Sequence, residues 1–303
     1  MKIDVSRVVF FLILRIYCVT AWGFIGHELV GALAQELLLP STLETVMNLL
    51  PVNERPLSKA ATWADRVKSK QAYKWSQPLH YINTNDDPPR YCNVDFSTDC
   101  TQNCAIKAII NATDILSNSK ETKLRRQESL LMLIHIVGDL HQPFHVLGLG
   151  EGGNSVKGTF GGNKFSMHQI WDTMLLDKRL KLIGKSDYLD VLKSKIAIEL
   201  SYAATCAPED NAVHALITDT KTSLLACFTD YLKQYFRYMF SHNYICPFKW
   251  AYEVNQYHCT DGTLNFTQGE DLSLDYYDRH IEAIERFIIL AGVRLAGILN
   301  QIL

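Results

Sequence analysis

The stretch HIVGDLHQPFH, residues 135–145, places three histidines and one aspartate in an otherwise apolar part of the chain. His135 and Asp139 are four residues apart, so a helix would present both from one face. Pro143 is expected to break that helix and to leave His145 on the turn that follows. Taken alone, the cluster fits two interpretations equally well: a metal site, or histidines that are hydrogen-bonded inside a core.

A second His/Asp pair with the same spacing comes later in the chain, where MHQIWD contains His168 and Asp172. Such a pair can present two ligands to one ion, although it is a weak signal by itself. Three further candidates lie upstream: Asp65 in TWADRVK, His80 in PLH and His27 in WGFIGHE. Histidine nitrogens and carboxylate oxygens suit zinc, and open coordination positions suit catalysis.

The residue that begins the mature chain could supply one more ligand. Trp22 lies five residues before His27, and its side chain cannot bind zinc. If the chain is cleaved before Trp22, its freed α-amine and carbonyl oxygen can form a five-membered chelate. With that amine, five histidines and three aspartates, the sequence offers ligands for about three ions, if one carboxylate bridges two of them.

The first 21 residues are typical of a secretory signal peptide, which would leave 22–303 as the mature domain. A short charged start precedes an apolar run from Val8, and Val19-Thr20-Ala21 forms a small-residue cleavage site. Arg15 interrupts the run and counts more strongly against a membrane anchor, which needs about 20 mostly apolar residues. No later run is long enough to span a membrane, so we expect a secreted protein without stable membrane association.

The charge balance excludes one class of nucleic-acid-binding protein. The chain of 303 residues has 30 basic and 32 acidic residues, and without residues 1–21 it keeps 27 and 31, a formal charge of −4. This composition argues against a broad basic face that holds nucleic acid through its phosphates. A polyanion would have to be bound locally, for example by metal ions.

Cysteines and sequons agree with a secretory product. Seven of the eight cysteines remain after cleavage, and in a secreted chain they suggest disulfides, with one left over. Cys100 and Cys104 could close a small loop, whereas Cys92 could pair with Cys246 or with Cys259. The sequons NAT and NFT predict N-glycans at Asn111 and Asn265.

The elements that must position the candidate ligands are mainly helical. Residues 148–163 are rich in glycine and suggest a short hairpin, and residues 77–100, rich in Pro, Asn and Asp, suggest a long loop. Neither a repeat nor a linker divides the chain. We therefore expect one mainly α domain, a helical bundle with long loops. Apolar spacing and capping residues predict helices at 26–38, 41–50, 57–70, 104–117, 121–141, 166–181, 187–203, 211–242 and 273–302.

Six motifs follow one another along the mature chain, and their order carries a resemblance that covers all of it. They are W-x-x-x-x-H, A-D-x-x-K, L-H-[YF]-I, H-x-x-x-D-x-H-x-P-x-H, G-G-N and H-x-x-W-D. The chain resembles the zinc-dependent single-strand-specific nucleases and 3′-nucleotidases of the S-one/P-one type. The resemblance implies a helical fold shared with zinc phospholipase C, with a cleft that holds three Zn²⁺ ions.

The resemblance also implies a ligand set for each ion. The three sets are Asp65, His80, His135 and Asp139 for the first ion; the Trp22 amine and carbonyl, His27 and the bridging Asp139 for its close neighbour; and His145, His168 and Asp172 for a third, more accessible ion. Besides Asp65, catalytic roles fall to Lys68, as a positive charge near the first ion, and to Asn154, which would orient a phosphate.

The implied activity is hydrolysis of single-stranded DNA and RNA to 5′-phosphate products, together with hydrolysis of 3′-mononucleotides. Two close zinc ions would activate water, while the third would stabilise the departing 3′ oxygen. Tyr81 is a candidate platform for a base, although a packing role in the core is as plausible from the residues alone. Asn83 stands where the family often has an aspartate, so base preference is open. A monomer is expected.

The remaining histidines and the tryptophans have no ligand spacing. His141 is six positions past His135 and is expected to support the ligands or to cap the helix. His214, His242, His258 and His280 are expected in the core or on the surface, and Trp63, Trp75, Trp171 and Trp250 in the packing.

Two alternatives stay open at this point. The first is a secreted zinc phospholipase C, against which stand the short spacing from Trp22 to His27 and an aspartate, Asp172, at the end of the last motif. The second is a catalytically inactive zinc-binding glycoprotein, against which stands the complete set of nine ligand positions.

Overall fold

The computed structural model describes residues 22–203 and 246–303, except for the side chains of residues 185 and 197–203. The described chain is mainly helical, which confirms the predicted fold class. Its helices are α1 (Phe24–Glu36), α2 (Pro40–Leu49), α3 (Leu57–Ala60), α4 (Trp63–Val67), α5 (Phe96–Asp99), α6 (Ala105–Ser117), α7 (Lys123–Leu140), the short turn α8 (Gly150–Gly153), α9 (Met167–Gln169), α10 (Leu175–Ile183), α11 (Lys185–Ala203), α12 (Pro247–Thr260) and α13 (Asp275–Ile302). Segments Val52–Glu54, Gln71–His80 and Pro143–His145 are 3₁₀-helical, and Ile170–Met174 is π-helical.

Helix α7 runs through the middle of the molecule and carries the central ligand motif. Thr122 caps its N-terminus by accepting a hydrogen bond from the backbone N–H of Arg125 at 3.3 Å. Every residue from Ser129 to Leu140 is buried, because α6, α4, α1 and α13 pack around this part of the helix. A helix that is covered on all sides needs no polar stripe for solvent. Its polar residues there must therefore serve another purpose.

The last helix, α13, closes the core against α1 and α11. Its apolar residues recur at helical spacing over 28 residues and are buried together with those of α1. The predicted range of 273–302 is thus confirmed within two residues. Such long, strongly periodic segments are the ones that a sequence specifies best.

A short antiparallel hairpin is the one sheet of the described residues. Strand β1 (Lys157–Phe160) pairs with β2 (Asn163–Ser166) in the register Lys157↔Ser166 and Phe160↔Asn163. The two-residue turn is Gly161-Gly162, with φ of 56° and 78°, as a type I′ turn requires. The predicted hairpin is confirmed, and it delivers the chain directly to α9.

Two disulfides join described residues. Cys92 pairs with Cys259, which decides between the two partners left open by the sequence, and Cys100 pairs with Cys104 as expected. Cys246 is also disulfide-bonded. The Cys92–Cys259 bond spans 167 residues of sequence and fastens the loop after His80 to helix α12.

Several sequence predictions need correction. Residues 57–70 form two short helices, α3 and α4, instead of one, and a 3₁₀ helix occupies Gln71–His80, where a loop was expected from residue 77. Helix α12 was not predicted. Helix α2 begins at Pro40, whose missing N–H costs nothing in the first helical turn. The helix predicted at 211–242 and the signal peptide lie outside the described residues. Within those residues, no helix is long and apolar enough to cross a membrane.

Candidate metal centre

The first cluster joins three separate elements at one buried point. Asp65 lies on α4, His80 ends the 3₁₀ helix and His135 with Asp139 projects from α7. His135 Nε2 lies 3.5 Å from Asp65 Oδ1 and 3.1 Å from Asp139 Oδ2, and His80 Nδ1 lies 2.9 Å from Asp139 Oδ2. Asp65, His80 and His135 present atoms close enough to hold one metal ion.

The second cluster shares α7 with the first. His27 of α1 stacks on His135 with ring centroids 3.9 Å apart, and its Nε2 lies 3.2 Å from Asp139 Oδ1. His27, His135 and Asp139 could hold an ion. Because one oxygen of Asp139 faces His80 and the other faces His27, this carboxylate stands between the two clusters. Trp22 is buried beside them, and its Nε1–H donates to the carbonyl of Gly138 at 2.8 Å.

The third cluster lies beyond the break in α7. His145 follows Pro143 in a 3₁₀ turn, while His168 and Asp172 lie one turn apart where α9 passes into the π-helical segment. His168 Nε2 is 3.2 Å from Asp172 Oδ2, His145 Nε2 is 3.8 Å from Asp172 Oδ1, and the two imidazoles stack at 4.9 Å. These three residues form another group that could hold an ion.

Backbone carbonyls fix the orientation of three of the histidines. The Nδ1–H of His135 donates to the carbonyl of Ala61 at 2.6 Å. In the same way, His145 donates to the carbonyl of His80 and His168 to the carbonyl of Gly152, each at 2.7 Å. An imidazole that donates from Nδ1 offers the lone pair of Nε2 to an ion, and such outer partners are usual for histidine ligands. Each Nε2 therefore points into its cluster ready for coordination.

Several buried atoms at the three clusters have no hydrogen-bond partner. Asp65 Oδ2, Asp139 Oδ1, His145 Nε2 and Asp172 Oδ2 are among them. Leaving a buried polar atom unsatisfied costs about 1–3 kcal/mol, and most buried polar atoms in native proteins are paired. All four are ligand atoms of the kinds that zinc prefers. The residues thus fit metal ions at these three points.

The pKa values of the buried carboxyl and imidazole groups also favour the binding of cations. Although burial raises the pKa of a carboxyl group, the charges of His135 and His145 hold the pKa of Asp139 well below its usual range. Burial, followed by the charge of His135, lowers the pKa of His27, and burial lowers the pKa of His80. Burial also lowers the pKa of His135 and His168, but the facing carboxylates, Asp139 and Asp172 respectively, raise it above the ordinary value. Metal binding requires ionised carboxylates and neutral imidazoles, so bound cations would take the place of the protons on these two histidines.

The predicted catalytic residues lie at the edges of the clusters. Lys68 Nζ is 2.7 Å from Asp65 Oδ1, and although burial lowers the pKa of Lys68, the Asp65 carboxylate raises it. Asn154 is half-buried at the end of the turn whose Gly152 carbonyl accepts from His168, and its Nδ2 donates to the carbonyl of Glu151 at 2.8 Å. These contacts place Lys68 beside the first cluster, and the chain places Asn154 near the third.

The candidate substrate-binding residues are exposed. The chain after His80 is extended, with Ile82 and Thr84 buried and Tyr81 and Asn83 facing outward. Tyr81 is 39% exposed directly beside a ligand of the first cluster. This exposure separates the two interpretations of Tyr81, because a core tyrosine would be buried.

Sequence spacing missed the residues that support the ligands. Gly138 is one of them, because a Cβ atom there would lie 2.9 Å from His27 Nδ1. Gln142 is fully buried, and its Nε2–H donates to Asp172 Oδ1 at 2.6 Å. No spacing rule identifies either residue. The only available signal was their position inside the central motif.

His141, by contrast, points away from the clusters. Its Nδ1–H donates to the carbonyl of Val137 at 2.7 Å and its Nε2 accepts from Arg294 Nη1 at 2.8 Å. It is the capping residue at the end of α7. Burial, followed by the charge of Arg294, keeps its pKa well below the usual value, so the imidazole is neutral.

The other predictions for histidines and tryptophans are mostly confirmed. His258 and His280 are buried in the core, as are Trp171 and Trp250, and Trp63 is nearly so. Trp75 is different: 58% of it is exposed, so its assignment to the packing is wrong. His214 and His242 lie outside the described residues.

Together, the helical bundle and its three buried groups of histidine and aspartate define a helical protein built around a multinuclear metal-type site. A family model described as S1/P1 Nuclease matches residues 22–303. The chain is 34% identical to Nuclease S1 of Aspergillus oryzae, covering 93% of this chain and 91% of that protein. It is 32% identical to Nuclease P1 of Penicillium citrinum (93% and 97%) and 30% identical to Endonuclease 1 of Arabidopsis thaliana (98% and 93%). The chain belongs to the S1/P1 nuclease family and is a hydrolytic nuclease that acts on phosphodiester bonds.

Proposed function

We propose that the chain is a secreted, zinc-dependent endonuclease that hydrolyses single-stranded DNA and RNA to 5′-phosphate products and also dephosphorylates 3′-mononucleotides. The observation that carries the proposal is the position of Asp139, whose two oxygens face two different ligand clusters. The names of the relatives, Nuclease S1, Nuclease P1 and Endonuclease 1, support the substrate class.

The ligands would be divided among three ions. The first would be held by Asp65, His80, His135 and Asp139; the second by the Trp22 terminus, His27 and Asp139; and the third by His145, His168 and Asp172. When bound, zinc supplies the Lewis acidity that activates water and neutralises phosphate charge.

The protein's own groups then position the reactants. Lys68 orients Asp65 through its 2.7 Å ion pair and adds positive charge for a phosphate. Asn154 offers an amide to a phosphate oxygen near the third cluster. Tyr81, exposed beside His80, offers a ring on which a base can stack. Base stacking on an aromatic side chain is worth about 1–3 kcal/mol and does not depend on the identity of the base.

The buried position of the clusters favours a single strand as substrate. His80 and His145 are 2% and 3% exposed, so a phosphate must enter between elements to reach them. A base that stacks on Tyr81 must also be unstacked from its neighbours. Both requirements are met more easily by a flexible single strand than by a duplex.

The start of the mature chain at Trp22 is part of the same proposal. Trp22 is buried, and the backbone N–H of Gly23 donates to the carbonyl of Asp172 at 2.7 Å, so a terminus at Trp22 would lie beside the third group of residues. Cleavage of a signal peptide at 1–21 would free the amine there. Secretion agrees with the disulfides and with the exposed sequons at Asn111 and Asn265, to which N-glycans would be attached. The secreted protein would be a monomer.

The decisive experiment couples zinc content to substrate choice in secreted protein whose N-terminus is verified as Trp22. We expect three zinc ions per chain and hydrolysis of denatured DNA, RNA and 3′-AMP, with little action on duplex DNA. Equal rates on duplex and denatured DNA would refute the single-strand preference. Cleavage of phosphatidylcholine without cleavage of nucleic acid would assign the chain to phospholipase C activity, and zinc binding without any hydrolysis would make it an inactive glycoprotein.

A further inference from the structure

Trp75 is exposed in a chain that buries its other tryptophans. A tryptophan buries a large apolar area, so an indole left 58% exposed forgoes considerable stabilisation. Its Nε1–H donates to the carbonyl of Ala72 at 3.0 Å, which holds the ring in one orientation. The residue sits in the 3₁₀ helix that ends at His80. At about 2 Å of rise per residue, it lies roughly 10 Å from that ligand along the helix axis.

The segment that contains Trp75 is rich in basic residues, although Tyr73 donates a hydrogen bond to Glu128 at 2.8 Å. Residues 66–81 contain no acidic residue, although the chain as a whole is acidic. Lys70 and Lys74 are exposed. Gln77 Nε2 donates to the carbonyl of Lys68 at 3.2 Å, so the 3₁₀ helix is fastened to the lysine that contacts Asp65. An ordered, exposed ring thus lies close in sequence to two exposed lysines, in a segment that leads to the first cluster.

We propose that Trp75, Lys70 and Lys74 form a subsite for a nucleotide of the substrate strand away from the scissile phosphate. A base would stack on Trp75, while the lysines would contact neighbouring phosphates, the combination that single-strand-binding proteins use. This proposal rests on the proposed function and deepens it: the enzyme would prefer strands long enough to reach from the clusters to Trp75.

The test compares a long substrate with a short one. For Trp75→Ala we expect kcat/KM on a twelve-residue thymidine oligonucleotide to fall about 10-fold, with kcat/KM on 3′-AMP unchanged. Trp75→Phe should keep most of the activity on the oligonucleotide, because the phenyl ring still stacks. Tyr252→Ala removes another exposed aromatic ring, on α12, and should change neither value.

The lysines are tested by salt. In Lys70→Gln/Lys74→Gln, the slope of log affinity for a phosphorothioate oligonucleotide against log salt should fall by about 0.7 for each lost phosphate contact. An unchanged ratio of the two kcat/KM values in Trp75→Ala, or an equal loss on both substrates, would overturn the subsite. If the wild-type enzyme cleaved no oligonucleotide at all, the proposed function would fail instead.

Gln142 carries a second inference from an independent observation. Its amide is fully buried, donates from Nε2 to Asp172 Oδ1 at 2.6 Å and accepts at Oε1 from the backbone N–H of Phe144 at 2.5 Å. The other oxygen of Asp172, Oδ2, has no hydrogen-bond partner and lies 3.2 Å from His168 Nε2. One oxygen of this carboxylate is therefore held by the protein, and the other is left for the third cluster.

We infer that Gln142 is a positioning residue that makes Asp172 a one-oxygen ligand of the third ion. The backbone N–H of Gln142 donates to the carbonyl of Asp139 at 3.0 Å, so Gln142 ties the end of the helix that carries Asp139 to the segment that carries His168 and Asp172. Loss of such an outer partner typically weakens metal affinity 10- to 100-fold.

Gln142→Glu isolates the donor. The glutamate keeps the shape and can still accept from Phe144 N–H, but it cannot donate to Asp172 and it adds a like charge. We expect chelator competition to show one zinc ion bound about 10- to 100-fold more weakly, with the other two retained and with thermal stability in excess zinc close to that of the wild type. Gln169→Glu is the matched control, since Gln169 accepts from Ser166 in a capping box that a glutamate also satisfies.

Gln142→Leu serves as a second variant that removes both bonds without adding charge, and the same zinc ion should be weakened. Three ions bound with wild-type affinity in either variant would overturn the inference. Failure of both variants to fold would overturn it as well, because Gln142 would then belong to the fold and not to the third cluster. This inference rests on the proposed function, so a wild-type protein that binds no zinc would refute both, whereas normal zinc affinity in the two variants would refute only the role of Gln142.

Discussion

At the scale of single residues, the site depends on carboxylates whose two oxygens do different tasks. Asp139 faces His27 with one oxygen and His80 with the other, whereas Asp172 turns one oxygen to Gln142 and the other to His168. The i, i+4 spacing predicts which residues share a helix face, but it does not predict which oxygen meets which partner. That information comes from elements far apart in sequence.

Asp139→Asn should therefore affect more than one ion. An amide has no charge and only one good acceptor, so it cannot serve both clusters. We expect zinc content to fall by more than one ion per chain. Activity on denatured DNA should fall by about 1,000-fold or more, since metal ions contribute several kcal/mol and each 1.36 kcal/mol is a factor of ten. Asp190→Asn, on the exposed side of α11, is the control. Retention of all three ions, measured by elemental analysis, would contradict the bridging role.

At the scale of elements, the sequence predicted most of the long helices, missed α12 and failed at several short elements. Helix α13 repeats apolar residues over many turns, and α7 is continuously apolar from Leu130 to Val137 except at His135, so both patterns survive local exceptions. The 3₁₀ helix at Gln71–His80 contains Pro78 in its interior and packs on α6 and α7. Tertiary contacts of this kind cannot be seen in a local window.

The same limit applies to the candidate site. Ligand types and spacings predicted the eight histidines and aspartates that the structure brings into three groups able to hold a metal ion, because the chemistry of metal binding restricts residue type severely. Supporting residues are less restricted: a glycine at position 138 or a glutamine at position 142 has many other uses. The exposure of Trp75 could not be predicted for a related reason. Most tryptophans are largely buried, and nothing in the sequence around Trp75 distinguishes it from them.

The close approach of α1 to α7 yields a prediction at this scale. Gly138→Ala would place a methyl group 2.9 Å from His27 Nδ1, so His27 must shift away from Asp139. We expect a loss of about 1–3 kcal/mol in the free energy of unfolding and weaker binding of one zinc ion. Gly297→Ala on α13 meets nothing within 4 Å and should instead stabilise the helix by about 0.5–1 kcal/mol. Urea unfolding with zinc analysis would separate the two, and equal effects would contradict the packing account.

At the scale of the whole molecule, the ligands come together because three long-range constraints act at once. Helix α7 is enclosed by α1, α6 and α13, the Cys92–Cys259 disulfide fastens the loop after His80, and α12 presses His258 against the turn that carries His145. The site thus depends on the closed core. Because that core buries a neutral histidine, its free energy of unfolding should decrease as the pH falls.

His258 makes that dependence measurable. It is fully buried, its Nε2 lies 2.8 Å from the carbonyl of Pro143 and its Nδ1 2.5 Å from Thr263 Oγ1, and burial lowers its pKa to about 4. The unfolded chain, with an ordinary histidine pKa of about 6.5, binds more protons below neutral pH, so unfolding is favoured as the pH falls. The stability that neutral His258 contributes is complete above about pH 6.5 and is lost progressively towards pH 4.

The size of the loss follows from the shift in pKa. From about 6.5 to about 4, at 1.36 kcal/mol per unit, it amounts to about 3 kcal/mol. His258→Gln can still donate to Pro143 and cannot take up the proton, so the stability advantage of the wild type over this variant should shrink by about that amount between pH 7 and pH 4. Comparing the two proteins by urea unfolding in the same zinc buffer cancels the protonation of the metal ligands, which is common to both. If the difference in free energy of unfolding between the two proteins stayed constant over this range, the imidazole of His258 would take up its proton without cost. The core around α12 would then have to be more open to water than the burial of His258 indicates.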